Sequence, residues 1–98
     1  MKMNEQRLKD LIRSFSASLE LKENTVLRAE EISRRANENY LVSGKKLEGS
    51  AAAIIYIAGI LEDDRRSQRE IAKVALVPES TIRNRYSAIA RGLNIARY

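Results

Sequence analysis

Residues 51–61 read AAAIIYIAGIL, a stretch without a single charged side chain. A helix that lacks a polar face either crosses a membrane or is wrapped by protein on all sides. Crossing a bilayer takes about 20 apolar residues, and this segment is far shorter. The rest of the chain must therefore surround it, which makes it the central helix of a bundle. Its alanines and Gly59 admit neighbours closely, while Ile54, Ile55, Ile57 and Ile60 fill the space between. Tyr56 packs there too, with its hydroxyl reaching an edge. A chain of 98 residues can build one modest core, so a single domain over residues 1–98 is expected.

The flanking sequence supplies the partners. Leu8, Leu11, Ile12, Phe15 and Leu19 recur at helical spacing from about Asn4 to Glu20. Val26, Ala29, Ile32, Ala36 and Tyr40 do the same from about Thr25 to Leu41, with Arg28, Glu31, Arg34, Arg35 and Glu38 on a solvated face. Gly44 breaks the chain, and Lys45-Lys46-Leu47-Glu48-Gly49 reads as a connection. Beyond the charged turn Glu62-Asp63-Asp64-Arg65-Arg66, Ser67 and Glu70 are spaced as a capping box. They open a short helix from Gln68 to Leu76 with Ile71, Ala72, Ala75 and Leu76 apolar. Val77-Pro78 separates it from a last helix, Glu79 to Leu93. Helix formers dominate, there are four glycines and one proline, and no strand pattern or internal repeat is visible. The expected fold class is all-α with five helices.

Composition narrows the chemistry. With no cysteine and no histidine, there is no disulfide frame, no thiolate metal site, and neither the commonest general base nor the commonest metal ligand. Glu62, Asp63 and Asp64 are the one cluster that could hold magnesium. Beside Arg65 and Arg66 they read as an exposed, self-neutralised loop, so no metal is expected. No nucleophile–base pair or phosphate-cradling glycine loop appears, and neither catalysis nor a cofactor is expected. The N-terminus turns amphipathic at once, so no signal peptide is expected. The net charge of +5 is uneven, with ten Lys/Arg against six Asp/Glu in residues 43–98. Arg83, Arg85, Arg91 and Arg97 close the chain without an acid among them. Such an end suits an anionic partner, nucleic acid first and a membrane surface second, or else a solvated tail.

The last two helices, QREIAKVALVPESTIRNRYSAI, have helix-turn-helix spacing over about residues 67–93. Ala72 is small where two helices would cross, Val77 closes the turn into the core, and Ile82 anchors the second helix. At roughly 100° per residue, Ile82, Tyr86, Ile89 and Leu93 share the buried face. Ser80, Asn84, Ser87 and Arg91 fall opposite, with Arg83 on one flank and Arg85 on the other. In such a motif the second helix enters the DNA major groove, where arginine takes guanine and asparagine takes adenine. Ser80, Arg83, Asn84 and Ser87 are therefore the candidate base readers. Lys45, Lys46, Arg65, Arg66, Arg69, Arg85 and Arg91 are candidate phosphate contacts, with a second option for Arg85 of covering the core edge with its stem.

Residues 67–86, SQREIAKVALVPESTIRNRY, resemble the end of the second cyclin-like repeat of transcription factor B, the archaeal counterpart of eukaryotic TFIIB. SGKKLEGSAAAIIYIAGILEDDRRSQREIA is similar to the stretch leading into that motif, and the likeness covers about residues 4–95. The resemblance implies a five-helix cyclin box that joins preinitiation-complex assembly. It would read double-stranded promoter DNA upstream of the TATA box while TATA-binding protein bends the DNA. It also implies that Ser80 and Arg83, the residue before T-I-R and its arginine, reach into the major groove. Three positions depart from the pattern. Ser80 stands where an aliphatic residue is common, and it hydrogen-bonds where valine would touch a thymine methyl. Leu76 stands where the turn usually has glycine, so either it accepts positive φ or the turn is built differently. Pro78 replaces the usual Ser or Thr cap. The factor's zinc ribbon, polymerase-contacting linker and first repeat are missing, and any contact with RNA polymerase would run through them. The resemblance thus implies an excised second repeat or a single-repeat relative, monomeric, in the nucleoid-associated cytoplasm of a prokaryotic-type cell.

The rival is a protein-interaction module, because cyclin boxes also bind partner helices and fold alone does not settle function. A stand-alone repressor would need a dimer to read two half-sites, and no extra apolar stripe supplies one.

Overall fold

The computed structural model describes residues 3–95, so Arg97 of the basic end lies outside them. Five helices follow one another: α1 (Met3–Ser18), α2 (Glu23–Glu38), α3 (Leu47–Leu61), α4 (Gln68–Ala75) and α5 (Glu79–Gly92). No strand occurs among the described residues. Helix α3, apolar from Ala51 to Leu61, is the hub and packs against each of the other four. Every residue from Gly49 to Gly59 is buried. Ile54, Ile55 and Ile57 are sealed from solvent, and burying each contributes about 1.5–3 kcal/mol. Among the described residues no helix is long and apolar enough to cross a membrane.

The boundaries shift from those expected, and α3 shifts most. It begins at Leu47 rather than Ala51, so Leu47-Glu48-Gly49 is its first turn, not a connection. Glu48 suits the positive end of the helix. Gly49 is needed there because a Cβ would lie 2.8 Å from Thr81 Cγ2 of α5. Gly59 does a different task from admitting a helix. A Cβ there would lie 2.9 Å from the Asp64 carbonyl oxygen, so it lets the chain turn back tightly across the end of α3.

All five helices end on one device. Glu20, Tyr40, Asp63, Leu76 and Asn94 each take left-handed backbone with φ between 55° and 60°. The next residue's N–H reaches back five residues: Leu21 to Ser16, Leu41 to Ala36, Asp64 to Gly59, Val77 to Ala72, Ile95 to Ala90. This is the pairing of a Schellman motif, usually built on glycine. Leu21, Leu41, Val77 and Ile95 then fold onto the core. The motif overturns the inward placement of Tyr40, which is 80% exposed. Because α2 stops at Glu38, Tyr40 becomes the left-handed residue and swings outward, and Leu41 takes the inward place. At Leu76 the open question is resolved: it accepts positive φ and stands 89% exposed.

Arginines complete the helix ends from elsewhere in the chain. Arg66 donates through Nη2 to the carbonyls of Leu19 and Glu20 after α1. Arg35 of α2 donates to the Leu93 carbonyl that caps α5. Arg85 of α5 donates to the Leu41 carbonyl after α2, at 2.7 Å. A cation at a carboxyl end complements the helix dipole. Asp64 does the reverse at the start of α2, accepting from Lys22 N–H and the Thr25 hydroxyl while also pairing with Arg66. The Asp64 side chain is only 9% exposed. The charged turn is self-neutralised as expected, but at this pair it is an interior clasp rather than a wet loop. Arg28 likewise leaves the solvated face of α2 to pair with Glu62.

Candidate nucleic-acid interface

The outward ridge of α5 is set by what its other sides touch. Ile82, Ile89 and Leu93 are buried. Tyr86 is half-buried, and its ring lies 4.7 Å from that of Tyr56 on α3. Tyr56 is also the acceptor for Arg65 Nη2 at 3.0 Å, so the hydroxyl does reach an edge. One aromatic pair therefore ties α5 both to the central helix and to the turn before α4.

Two flanks border that ridge. On the first, Arg83 Nη1 donates to Gln68 Oε1 at 3.4 Å, which places Arg83 beside the start of α4. That start is firmly built. Ser67 Oγ accepts from Glu70 N–H, and the Glu70 carboxylate accepts from Ser67 N–H. The bond from Ser67 N–H, helped by the Ser67 hydroxyl, holds the Glu70 carboxyl below its ordinary pKa. An open cleft of about 470 Å³ lies here, lined by Tyr56, Arg65, Ser67, Gln68, Arg69 and Glu79.

On the second flank, Leu41 methyls sit against Gly92, where a Cβ would come within 2.6 Å, and Gly49 sits against Thr81. The segment from 41 to 49 thus runs antiparallel to α5, carrying exposed Lys45 and Lys46. Arg85 belongs to this packed flank. Its Nη2 is on the Leu41 carbonyl, and its Nε is buried without a hydrogen-bond partner. Desolvation alone pushes its pKa down.

The proposed residues separate accordingly. Ser80, Arg83, Asn84, Ser87 and Arg91 are exposed together on one ridge, and Lys45, Lys46, Arg65 and Arg69 are exposed on its borders. Arg66 and Arg85 are not in that set, because their guanidinium groups are bonded to backbone carbonyls of the protein itself. Gln68 was missed as a contact of Arg83. Its position at the first turn of α4 was legible, but its reach across to α5 was not. The small residues Thr81 and Gly92, on one stripe with Arg85, were the available signal that this flank is packed.

The chain has close counterparts in sequence. The profile of the transcription factor TFIIB repeat family matches residues 1–92. The transcription initiation factor IIB of Methanothrix thermoacetophila is 52% identical over 86 residues, covering 88% of this chain and 26% of that protein. That of Methanopyrus kandleri is 48% identical over 86 residues, covering 88% and 28%. Transcription initiation factor IIB 1 of Thermococcus kodakarensis is 43% identical over 86 residues, covering 88% and 29%. The chain spans only about a quarter of the length of these relatives.

Proposed function

The chain belongs to the transcription factor TFIIB repeat family, and on that premise we propose that it is a DNA-reading repeat corresponding to the second of the factor's two. In this reading residues 1–98 form one domain whose α4 and α5 act as a helix-turn-helix. The α5 ridge enters the major groove upstream of a TATA box, and the domain joins the complex of TATA-binding protein with promoter DNA as a monomer. Ser80, Arg83, Asn84 and Ser87 face base edges, and Arg83 is the residue whose guanidinium suits guanine. Lys45, Lys46, Arg65, Arg69 and Arg91 meet phosphates and supply sequence-independent affinity. RNA polymerase is engaged only through other segments of a longer factor.

The observation that carries this is the α5 ridge itself. Five polar or basic side chains, Ser80, Arg83, Asn84, Ser87 and Arg91, are exposed on it, and Glu79 at its tip is the only acid on α5. Buried Ile82 and Ile89 and the Tyr56–Tyr86 contact fix its direction. The test is fluorescence anisotropy on labelled TATA-promoter duplex, with and without TATA-binding protein, at two salt concentrations. Arg83→Ala should weaken binding to the preferred site by about 1–3 kcal/mol and leave binding to random duplex nearly unchanged. Equal loss on both duplexes refutes base reading by Arg83.

A second reading, a protein-interaction module without base-specific binding, draws on Leu27, Tyr40 and Leu76, large hydrophobic side chains left exposed. Under it, the same assay shows no preference for any duplex, and Arg83→Ala and Asn84→Ala behave as the unaltered chain.

A further inference from the structure

We infer that Gln68 is a positioning residue for Arg83, coupling a phosphate contact to base readout. This rests on the reading of Arg83 as a base reader. The geometry begins with a shared side-chain bond across two helices. Gln68 Oε1 accepts from Arg83 Nη1 at 3.4 Å, between residues 15 apart in sequence. An amide carries two functions at once, an acceptor oxygen and two donor hydrogens. Here the oxygen is committed to Arg83, while the nitrogen makes no hydrogen bond among the described residues. Gln68 is the first residue of α4, so the nitrogen lies at a helix amino end, beside exposed Arg65 and Arg69. A DNA phosphate arriving there is held by the amide N–H groups, which fixes the oxygen and with it the guanidinium.

The platform is stiff enough to transmit such a constraint. The capping box fixes the first turn of α4, and Ile71, Ala72 and Ala75 bury its inner face. The guanidinium would otherwise sweep a wide arc, since an arginine side chain has many rotamers to lose. Restricting it before it meets the base converts part of that cost into preference for one site.

The test uses the whole chain with TATA-binding protein. The matched duplex is the one the unaltered chain selects from a pool randomised upstream of the TATA box, and a scrambled duplex serves as control. Gln68→Ala should lower the ratio of matched to scrambled affinity about five- to tenfold, within the range of a single bidentate base contact. In an Arg83→Ala background the same change should alter both affinities equally. Gln68→Glu keeps an acceptor oxygen for Arg83 but loses the donors that would hold it to the phosphate. It should therefore lower discrimination as Gln68→Ala does and also bind both duplexes more weakly; full discrimination in this variant would overturn the coupling to a phosphate. Melting curves of each variant exclude loss of fold as the cause. Equal weakening on both duplexes by Gln68→Ala, or the same loss of discrimination with and without Arg83, overturns this inference alone. No discrimination by the unaltered chain, or full discrimination by Arg83→Ala, overturns the base-reading assignment and the inference with it.

Discussion

At its carboxyl end α5 is gripped by Arg35 on the Leu93 carbonyl, by Leu41 against Gly92, and by Arg85 reaching back to Leu41. At its amino end the cap is Pro78, which provides no side-chain hydrogen bond, and the next residues, Glu79 and Ser80, are exposed. One helix thus has a clasped end and an open end. The clasped end is where α5 meets α2, and both helices satisfy their last carbonyls through each other's arginine. The open end leaves backbone N–H groups and short polar side chains where an anion can meet them. Arg83 and Arg85 show the contrast within two residues: they project to opposite flanks, one outward beside α4 and one into the protein.

The clasps can be broken one by one. Asp64 should matter most, because its carboxylate holds the start of α2 and also Arg66, which holds the end of α1. Asp64→Asn should destabilise the fold by about 2–3 kcal/mol, by leaving a largely buried guanidinium without its counter-charge. Burial pushes the Asp64 carboxyl pKa up, but the bonds from Lys22 N–H, Thr25 and Arg66 outweigh it and leave the value below normal. Its contribution is therefore full above the unfolded carboxylate value of about 3.9 and disappears as pH falls through the lower folded value. Melts of the two proteins should differ at pH 7 and converge in strong acid. A constant difference across that range would show that charge is not the reason.

Arg85→Ala is the next test, and it sharpens the contrast with Arg83. It should cost about 1–2 kcal/mol of stability, from a lost charge-assisted bond to Leu41 and lost stem packing. Binding to DNA at a temperature well below the melt should change little. For Arg83→Ala the pattern inverts, with DNA preference lost and the melting temperature kept. A drop in DNA affinity for Arg85→Ala with no change in melting temperature would move Arg85 to the open, DNA-facing side.

Leu76 gives the smallest effect. It is exposed in left-handed backbone just before the open end, so its side chain gains little by burial and carries the steric cost of positive φ. Leu76→Gly should raise stability by about 1 kcal/mol, read as a higher melting temperature. A lower melting temperature would mean that the leucine contributes packing that outweighs the strain.

The sequence alone determined the layout that depends on side-chain pattern. A run with no polar face had to be enclosed, so α3 was central; the spacing of Ser67 and Glu70 gave the start of α4; the periodicity of Ile82, Tyr86, Ile89 and Leu93 gave the inner face of α5. It also gave the outward ridge, as the complement of that face, and the match to the TFIIB repeat family. What only the tertiary structure decided was the fate of the long polar side chains. Arg66 and Arg85 looked like phosphate contacts and Arg83 like a base reader, with only the position along the chain to tell one arginine from another. Their partners are backbone carbonyls 44 to 47 residues away, and every residue carries the same carbonyl whatever its side chain, so no pattern of letters marks it. The left-handed ends were hidden in the same way, because backbone bonds reaching back five residues hold Tyr40 and Leu76 in place without glycine. Side-chain periodicity registers where a residue points along its own helix. Which backbone atoms it meets depends on how the helices are set against one another.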